Sequence, residues 1–436
     1  MQHEQQDRGA GRVLTLSTLS FTLLFAVWLM FGILGKPIVT EFHLSEVQLS
    51  WIVAVAVLNG SMWRLPAGIL TDRIGGRKVM TFILAATAVP AYLVSLADSY
   101  EWLLVLAFLV GFAGNSFSVG IAWNSAWFAH GRQGLALGVF GAGNVGASVT
   151  KFIGPPLIAG TAGITYWAGI QGGWRLIPVI YAVLLAIMAV LTWVLTPTPD
   201  KMTGKSKPIA EMLVPLRHLR VWRFSLYYVA FFGAYVALSA WLPTYYIDNF
   251  GVSLTTAGLL TALFIFPASL LRPVGGWFSD KFGPRRAMYG SLVAMLVTSG
   301  VLMMPNGHIV IKHPDGALTQ HLGYEINVVW FTVVLFLLGC AMGVGKAAVY
   351  KHIPDYFPDN VGSVGGLVGM LGGLGGFFLP PLFAYTKAWS GFPSSTFFVL
   401  FLLTIACLAW MHWTIVGMHN AQAPELAREL EPMTAA

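Results

Sequence analysis

The sequence predicts an all-α membrane protein of twelve transmembrane helices arranged as two pseudo-symmetric six-helix halves. Three observations carry this: scarcity of charge, apolar runs of bilayer length, and a repeat relating the halves. Of 436 residues, 25 are Lys or Arg and 18 are Asp or Glu, so 10% are charged, where a soluble domain carries roughly 25%. Mean hydropathy is +0.71. No soluble arrangement of a chain this long hides so much apolar surface.

A helix needs about 20 apolar residues to cross the hydrocarbon core. Charge-poor runs of that order cover 13–35, 47–70, 79–97, 102–129, 135–159 and 176–196. Six more cover 224–247, 254–278, 287–304, 326–350, 362–386 and 393–418. The sequence thus divides into a polar tail (1–12), a first bundle (13–196), a linker (197–223), a second bundle (224–418) and a closing tail (419–436). Unbroken runs exclude a β-barrel, whose strands alternate. The polar opening MQHEQQDRGAGR precedes a full-length run, so the first segment is read as a span and not a cleaved leader. With both termini inside, sixteen Lys and Arg fall on the cytoplasmic side and four (Lys36, Arg175, Lys312, Lys387) on the other, a strong positive-inside bias. The net +7 is scattered between apolar runs, so no nucleic-acid partner is expected. Cys340 and Cys407 are too few for a disulfide framework or a thiolate cluster. The stretch 305–324 reads as an external loop whose His308, His313 and His321 make a weak metal candidate, and no metal or cofactor is expected.

The repeat locates the working centre. RLPAGILTDRIGGRK (64–78) lines up with RPVGGWFSDKFGPRR (272–286) at an offset of 208, matching Arg64 with Arg272, Gly68 with Gly276 and Asp72 with Asp280. Further on, 109–128 lines up with 337–356 at offset 228, the extra twenty residues being the long loop. Two parallel halves with a site at the midplane between them is the plan of a secondary transporter.

Each Arg precedes its Asp by eight residues, about 12 Å of helix, which puts it near the middle of a core about 30 Å thick. A cation there costs about 2.5–3.5 kcal/mol. None of the eighteen acids sits mid-span; Asp248, Glu325 and Asp355 lie at span ends. A bound anion is the economical neutraliser of the two guanidiniums. Asp72 and Asp280, with Lys351 and Asp355 spaced i,i+4 at the end of span ten, are candidates for a cytoplasmic latch between the halves. Lys151, about sixteen residues into span five, is expected to snorkel outward.

The loops DRIGGRK and DKFGPRR resemble the signature of the major facilitator superfamily, and the whole chain resembles its nitrate/nitrite porter family. The segments carrying the likeness are GFAGNSFSVGIAWNSAWF, GAGNVGAS, GVGKAAVYKHIP and GGLVGMLGGLGG. The resemblance implies that Arg64 and Arg272 clasp a planar anion, nitrate or nitrite. It also implies that Phe117, Tyr228, Phe232 and Asn144 line the site. Lys346 in GVGKAAVYKHIP is similar to the subgroup assigned proton-coupled nitrate import, which implies protons as a second partner. With no buried carboxylate, the proton-coupling candidates reduce to Lys346, Lys151, His352 and Tyr228, of which Lys346 is preferred. Nitrate/nitrite antiport is the alternative.

Several motifs are decoys. Gly343-Val-Gly-Lys346 is followed by Ala347, where a phosphate loop needs Ser or Thr. Eight of the fifteen residues 362–376 are Gly, read equally as close helix packing or as a sliding face. No catalytic constellation appears, so an enzyme is not expected. An anion sensor or channel on the same scaffold stays open; against organic-phosphate exchange, the aromatic-rich surroundings and the absence of further central Arg favour a small monovalent anion. The expected setting is the lipid bilayer of a bacterial inner membrane, with the protein a monomer.

Overall fold

In hydrocarbon every peptide group must be bonded inside its own segment, so the apolar runs become helices. The structure, a computed structural model, describes residues 2–128, 130–166, 169–202, 209–357 and 361–422. Among these, nine helical stretches are long and apolar enough to cross a membrane, and the bent pair Leu254–Leu270 and Arg272–Phe282 makes a tenth. His130–Ala142 with Gly146–Thr161, and Pro284–Leu302, complete twelve crossings as spans five and nine. The first helix already starts at Gln2, so the segment read as a polar tail is helical. Linker residues Lys205 and Lys207, and 423–436 of the closing tail, lie outside the described residues.

Spans differ in what they face. The apolar window of span seven (Leu219–Phe250) is 89% buried, and that of span twelve (Ser395–Met418) only 22%. Span seven therefore sits at the centre, and span twelve, like Val190 and Val194 of span six, presents its side chains to lipid. Spans two, eight and ten enter from one face through side-chain caps, with Ser45, Ser253 and Asn327 accepting from the N–H groups of Gln48, Thr256 and Trp330. At the opposite face, where the chain begins, spans two and eight end at Gly75 and Gly283, with φ of 91° and 88°. Both repeat loops turn on this left-handed residue, which only Gly adopts without strain.

The stretch read as a loop is a β-hairpin. Gly307–Lys312 pairs antiparallel with Leu318–Tyr324. Its turn holds Asp315, which accepts from the Ala317 N–H, and Gly316 at φ 86°. The β-branched His-Ile-Val-Ile-Lys run and the Pro-Asp-Gly turn account for it. We call this the hairpin face, and the opposite one the termini face.

Span ten, Val328–Tyr356, is an unbroken helix. Span two breaks at Trp63 (φ −92°, ψ 5°) and span eight at Leu271 (φ −80°, ψ 1°), the same point of the repeat. Pro66 and Pro273 lack the N–H that would close the helical bond four residues back. Span four relaxes into a 3-10 turn at Phe112–Asn115, span five at Gly143–Val145, and span seven into a π turn at Val229–Gly233. Non-helical backbone at mid-span marks where these helices line an interior site.

Candidate anion site between the halves

Arg64 and Arg272 are each the first residue after their helix break. Arg64 is buried, with Nε donating to Gly60 O at 3.0 Å and Nη1 to Gly369 O of span eleven at 2.9 Å. Its guanidinium carbon lies 5.1 Å from the Phe232 ring, 5.4 Å from Trp28 and 5.6 Å from Phe117. Arg272 is half-buried and, among the described residues, makes one long hydrogen bond, Nη2 donating to the Tyr228 hydroxyl at 3.4 Å. Its guanidinium carbon is 5.2 Å from the same Phe117 ring and 5.7 Å from Tyr350. Phe117, from the first half, is thus shared by arginines of both halves.

Tyr228 and Phe232 stack at 5.1 Å and 12° along span seven. Gly372 lets Tyr228 in: a Cβ there would stand 2.4 Å from the Tyr228 ring. Close packing is therefore what the Gly-rich stretch of span eleven provides at this site. Asn144 sits in the turn of span five, reached by the Tyr235 hydroxyl at its carbonyl (3.4 Å), and Tyr235 also meets Ser269 Oγ at 3.0 Å. Lys346 is buried, donates to Ala268 O at 3.0 Å and lies 3.2 Å from the centre of the Tyr235 ring. Tyr235 links Asn144 to Lys346. It escaped sequence reading, although Tyr228, Phe232 and Tyr235 fall at i, i+4 and i+7 of one helix face.

The electrostatics are one-sided. Among the described residues Arg64, Lys151 and Lys346 are buried and no Asp or Glu is. Arg64 Nη2, Arg272 Nη1 and both side-chain atoms of Asn144 are buried without a hydrogen-bond partner among the described residues. Leaving such donors unsatisfied costs about 1–3 kcal/mol each. An anion accepting from guanidinium and amide N–H groups answers both the charge and the missing acceptors.

The latch candidates lie away from this centre. Asp280 pairs with Lys351 at 2.5 Å, a surface pair joining spans eight and ten inside the second half. Asp355 is exposed on the same face, and Asp72 ends span two there. At the hairpin face two ion pairs cross between the halves: Lys36 with Asp248, and Lys387 with Glu46 at 2.5 Å. Lys151 corrects an expectation. It does not snorkel; it is 0% exposed, because it lies on the side of span five that packs against span eight and not on the lipid side.

Paired spans, breaks at repeat positions and a buried cationic centre between halves define a membrane transport protein, not an enzyme. The Major Facilitator Superfamily model matches residues 16–307 and 244–433. The chain is 64% identical over 432 residues to the "Probable nitrate/nitrite antiporter NarK1" of Thermus thermophilus, covering 99% of this chain and 97% of that one. It is 30% identical over 403 residues to the "Nitrite extrusion protein" of Bacillus subtilis (strain 168), covering 92% and 94%. Among solved structures, a bacterial homolog of the human lysosomal transporter Spinster, inward-facing and occupied, superposes with TM-score 0.69 at 16% identity, over 92% of this chain and 96% of that one. The nucleoside transporter NupG does so with TM-score 0.66 at 13%, over 93% and 99%. The chain belongs to the nitrate/nitrite porter family of the major facilitator superfamily.

Proposed function

We propose that this protein exchanges nitrate for nitrite across a bacterial inner membrane by alternating access. The observation that carries the proposal is the buried cationic centre, with free N–H donors and no buried carboxylate among the described residues. Arg64 and Arg272 present planar forks suited to a flat oxyanion. Phe117, Phe232 and Tyr228 bound it above and below, and the Asn144 amide donates from the side. The bundles 13–196 and 224–418 rock about this centre, with the cross-half pairs Lys36–Asp248 and Glu46–Lys387 closing one face. At the other face Asp280 and Lys351 pair within the second half and do not join the halves, and Asp72 and Asp355 remain the charges proposed to serve its closing.

The likeness of Lys346 and its neighbours favours proton-coupled import; the name of the 64% identical relative favours exchange. Physics leans the same way. One anion moved inward against about 100 mV costs roughly 2.3 kcal/mol, and a returning anion cancels it without a proton site. Import with protons is kept as a second reading by one observation, the burial of Lys346 beside the site. The balance of Lys and Arg supports a cytoplasmic side for both termini, and a monomer is the proposed working unit.

Proteoliposomes decide. Nitrite loaded inside is expected to accelerate nitrate entry, and a pH gradient without internal anion to drive none. Accumulation under the pH gradient alone, lost in Lys346→Gln, would establish symport. Uptake unaffected by any internal anion or gradient would mark a channel.

A further inference from the structure

Span five treats its buried polar groups in two ways. Thr150 faces its own half, where its hydroxyl meets Ala26 O at 3.2 Å and the Tyr181 hydroxyl at 2.5 Å. One residue on, Lys151 faces the other half. Its carbonyl would be 2.5 Å from a Cβ on Gly258 of span eight, and Pro155 Cγ, one turn further, 3.3 Å from the same point. Lys151 Nζ and Ser148 Oγ are buried, and neither has a hydrogen-bond partner among the described residues. Asn144 precedes them on the same face, its amide equally unpaired. Val149 and Ile153 mark the opposite, lipid-facing side, and Phe152 flanks the stripe against Phe266 of span eight. Positions 144, 148 and 151 fall at i, i+4 and i+7, one stripe along a helix.

The stripe climbs from the arginine centre toward the hairpin face, in the seam between the halves. Lys151 stands seven residues past Asn144, about 10 Å along the helix, and its side chain leans back toward the centre. A buried ammonium without an acceptor is too costly to be a packing device. Three rotatable donors on a compact charge suit a transient hold better than an oriented clamp. We infer that Lys151 and Ser148 form a second anion station on the hairpin side, holding a small monovalent oxyanion before it passes to Arg64 and Arg272.

This rests on the anion-transport reading, and the test separates the two. The full-length protein is reconstituted in one orientation, and nitrate is varied on each face in turn. Lys151→Met is expected to raise half-saturation from the hairpin side about tenfold, the loss of one charge-assisted hydrogen bond. Ser148→Ala raises it about threefold, and both leave the termini side within about twofold. Lys151→Arg keeps the charge and restores most of the loss; Lys151→Gln replaces the Met variant if that one does not insert. An equal rise on both faces, or none on the hairpin side, overturns the station. If the parent moves no nitrate, the transport reading falls. The station is then decided by anomalous scattering from crystals grown in sodium bromide. Bromide at hydrogen-bond distance from Lys151 Nζ, absent in Lys151→Met, supports it, and no bromide at Nζ overturns it.

Discussion

Arg64 and Arg272 are the same residue of a repeat, each opening a half-helix after a break, and the protein holds them differently. Arg64 spends two donors on the carbonyls of Gly60 and Gly369 and keeps one terminal nitrogen free. Because Gly369 belongs to span eleven, this arginine also pins one half to the other. Among the described residues Arg272 has one hydrogen bond, the 3.4 Å contact to Tyr228, and stays half-buried. The difference arises in the opposing span. Bare Gly backbone in span eleven comes close enough to accept from Arg64, whereas at Gly141 of span five even an added Cβ would stand at ordinary van der Waals distance, 3.5 Å, from Arg272. In the proposed site one cation is a fixed wall and the other has room to reorganise around an anion.

The largest effect expected is on the arginines. Arg64→Lys and Arg272→Lys should each cut nitrate transport on the order of a hundredfold, since Lys keeps charge without the planar fork. Only Arg64→Lys should also lower the thermal midpoint, because two buried carbonyls lose their donors at about 1–3 kcal/mol each. Equal melting of both variants would break the contrast.

Next come the facing glycines. A Cβ at Gly373 would sit 2.7 Å from Ser61 Oγ and 3.0 Å from Arg64 Nη1, against 3.5 Å from Arg272 for one at Gly141. Gly373→Ala should weaken nitrate binding about tenfold by overpacking and Gly141→Ala by about twofold or less. Titration calorimetry of both reads this directly, and the reverse order would assign the rigid role to Arg272.

Tyr228→Phe removes the one hydroxyl on Arg272. At 3.4 Å that contact is near the limit of a hydrogen bond, so affinity should fall only about threefold. A loss as large as that of Arg272→Lys would mean that the hydroxyl touches the anion itself. Smallest is the hairpin-face tie. Lys387 and Glu46 are 23% and 33% exposed, and such a pair is worth less than about 1 kcal/mol. Glu46→Gln should shift the balance of faces slightly, seen as a few-fold change in cysteine accessibility, and the swap Glu46→Lys with Lys387→Glu should reverse it. A shift exceeding that of Arg64→Lys would make the surface pairs, and not Arg64, the main tie between halves.

Much of the centre was legible because it depends on distance along one helix. Eight residues from Asp72 fix the depth of Arg64, and the lack of mid-span acids needs only counting. Asn144, Phe117, Tyr228 and Phe232 came from resemblance; spacing alone would not separate them from packing residues. Lys151 was misread for a definite reason. Its depth is a property of span five, but whether it meets lipid or protein depends on which side of that span the second half covers. The hairpin was missed because polarity marks a segment as outside the membrane without saying how it pairs.

Local physics in the chain therefore dictated the spans, their breaks and the excess of buried positive charge, since hydropathy, proline and helix rise act over a few residues. Assembly of the halves assigned what that charge does. Arg64 finds Gly369 across 305 residues, Lys36 finds Asp248 across 212 and Glu46 finds Lys387 across 341. Partners so distant are chosen by how two bundles pack, and no window of sequence contains them.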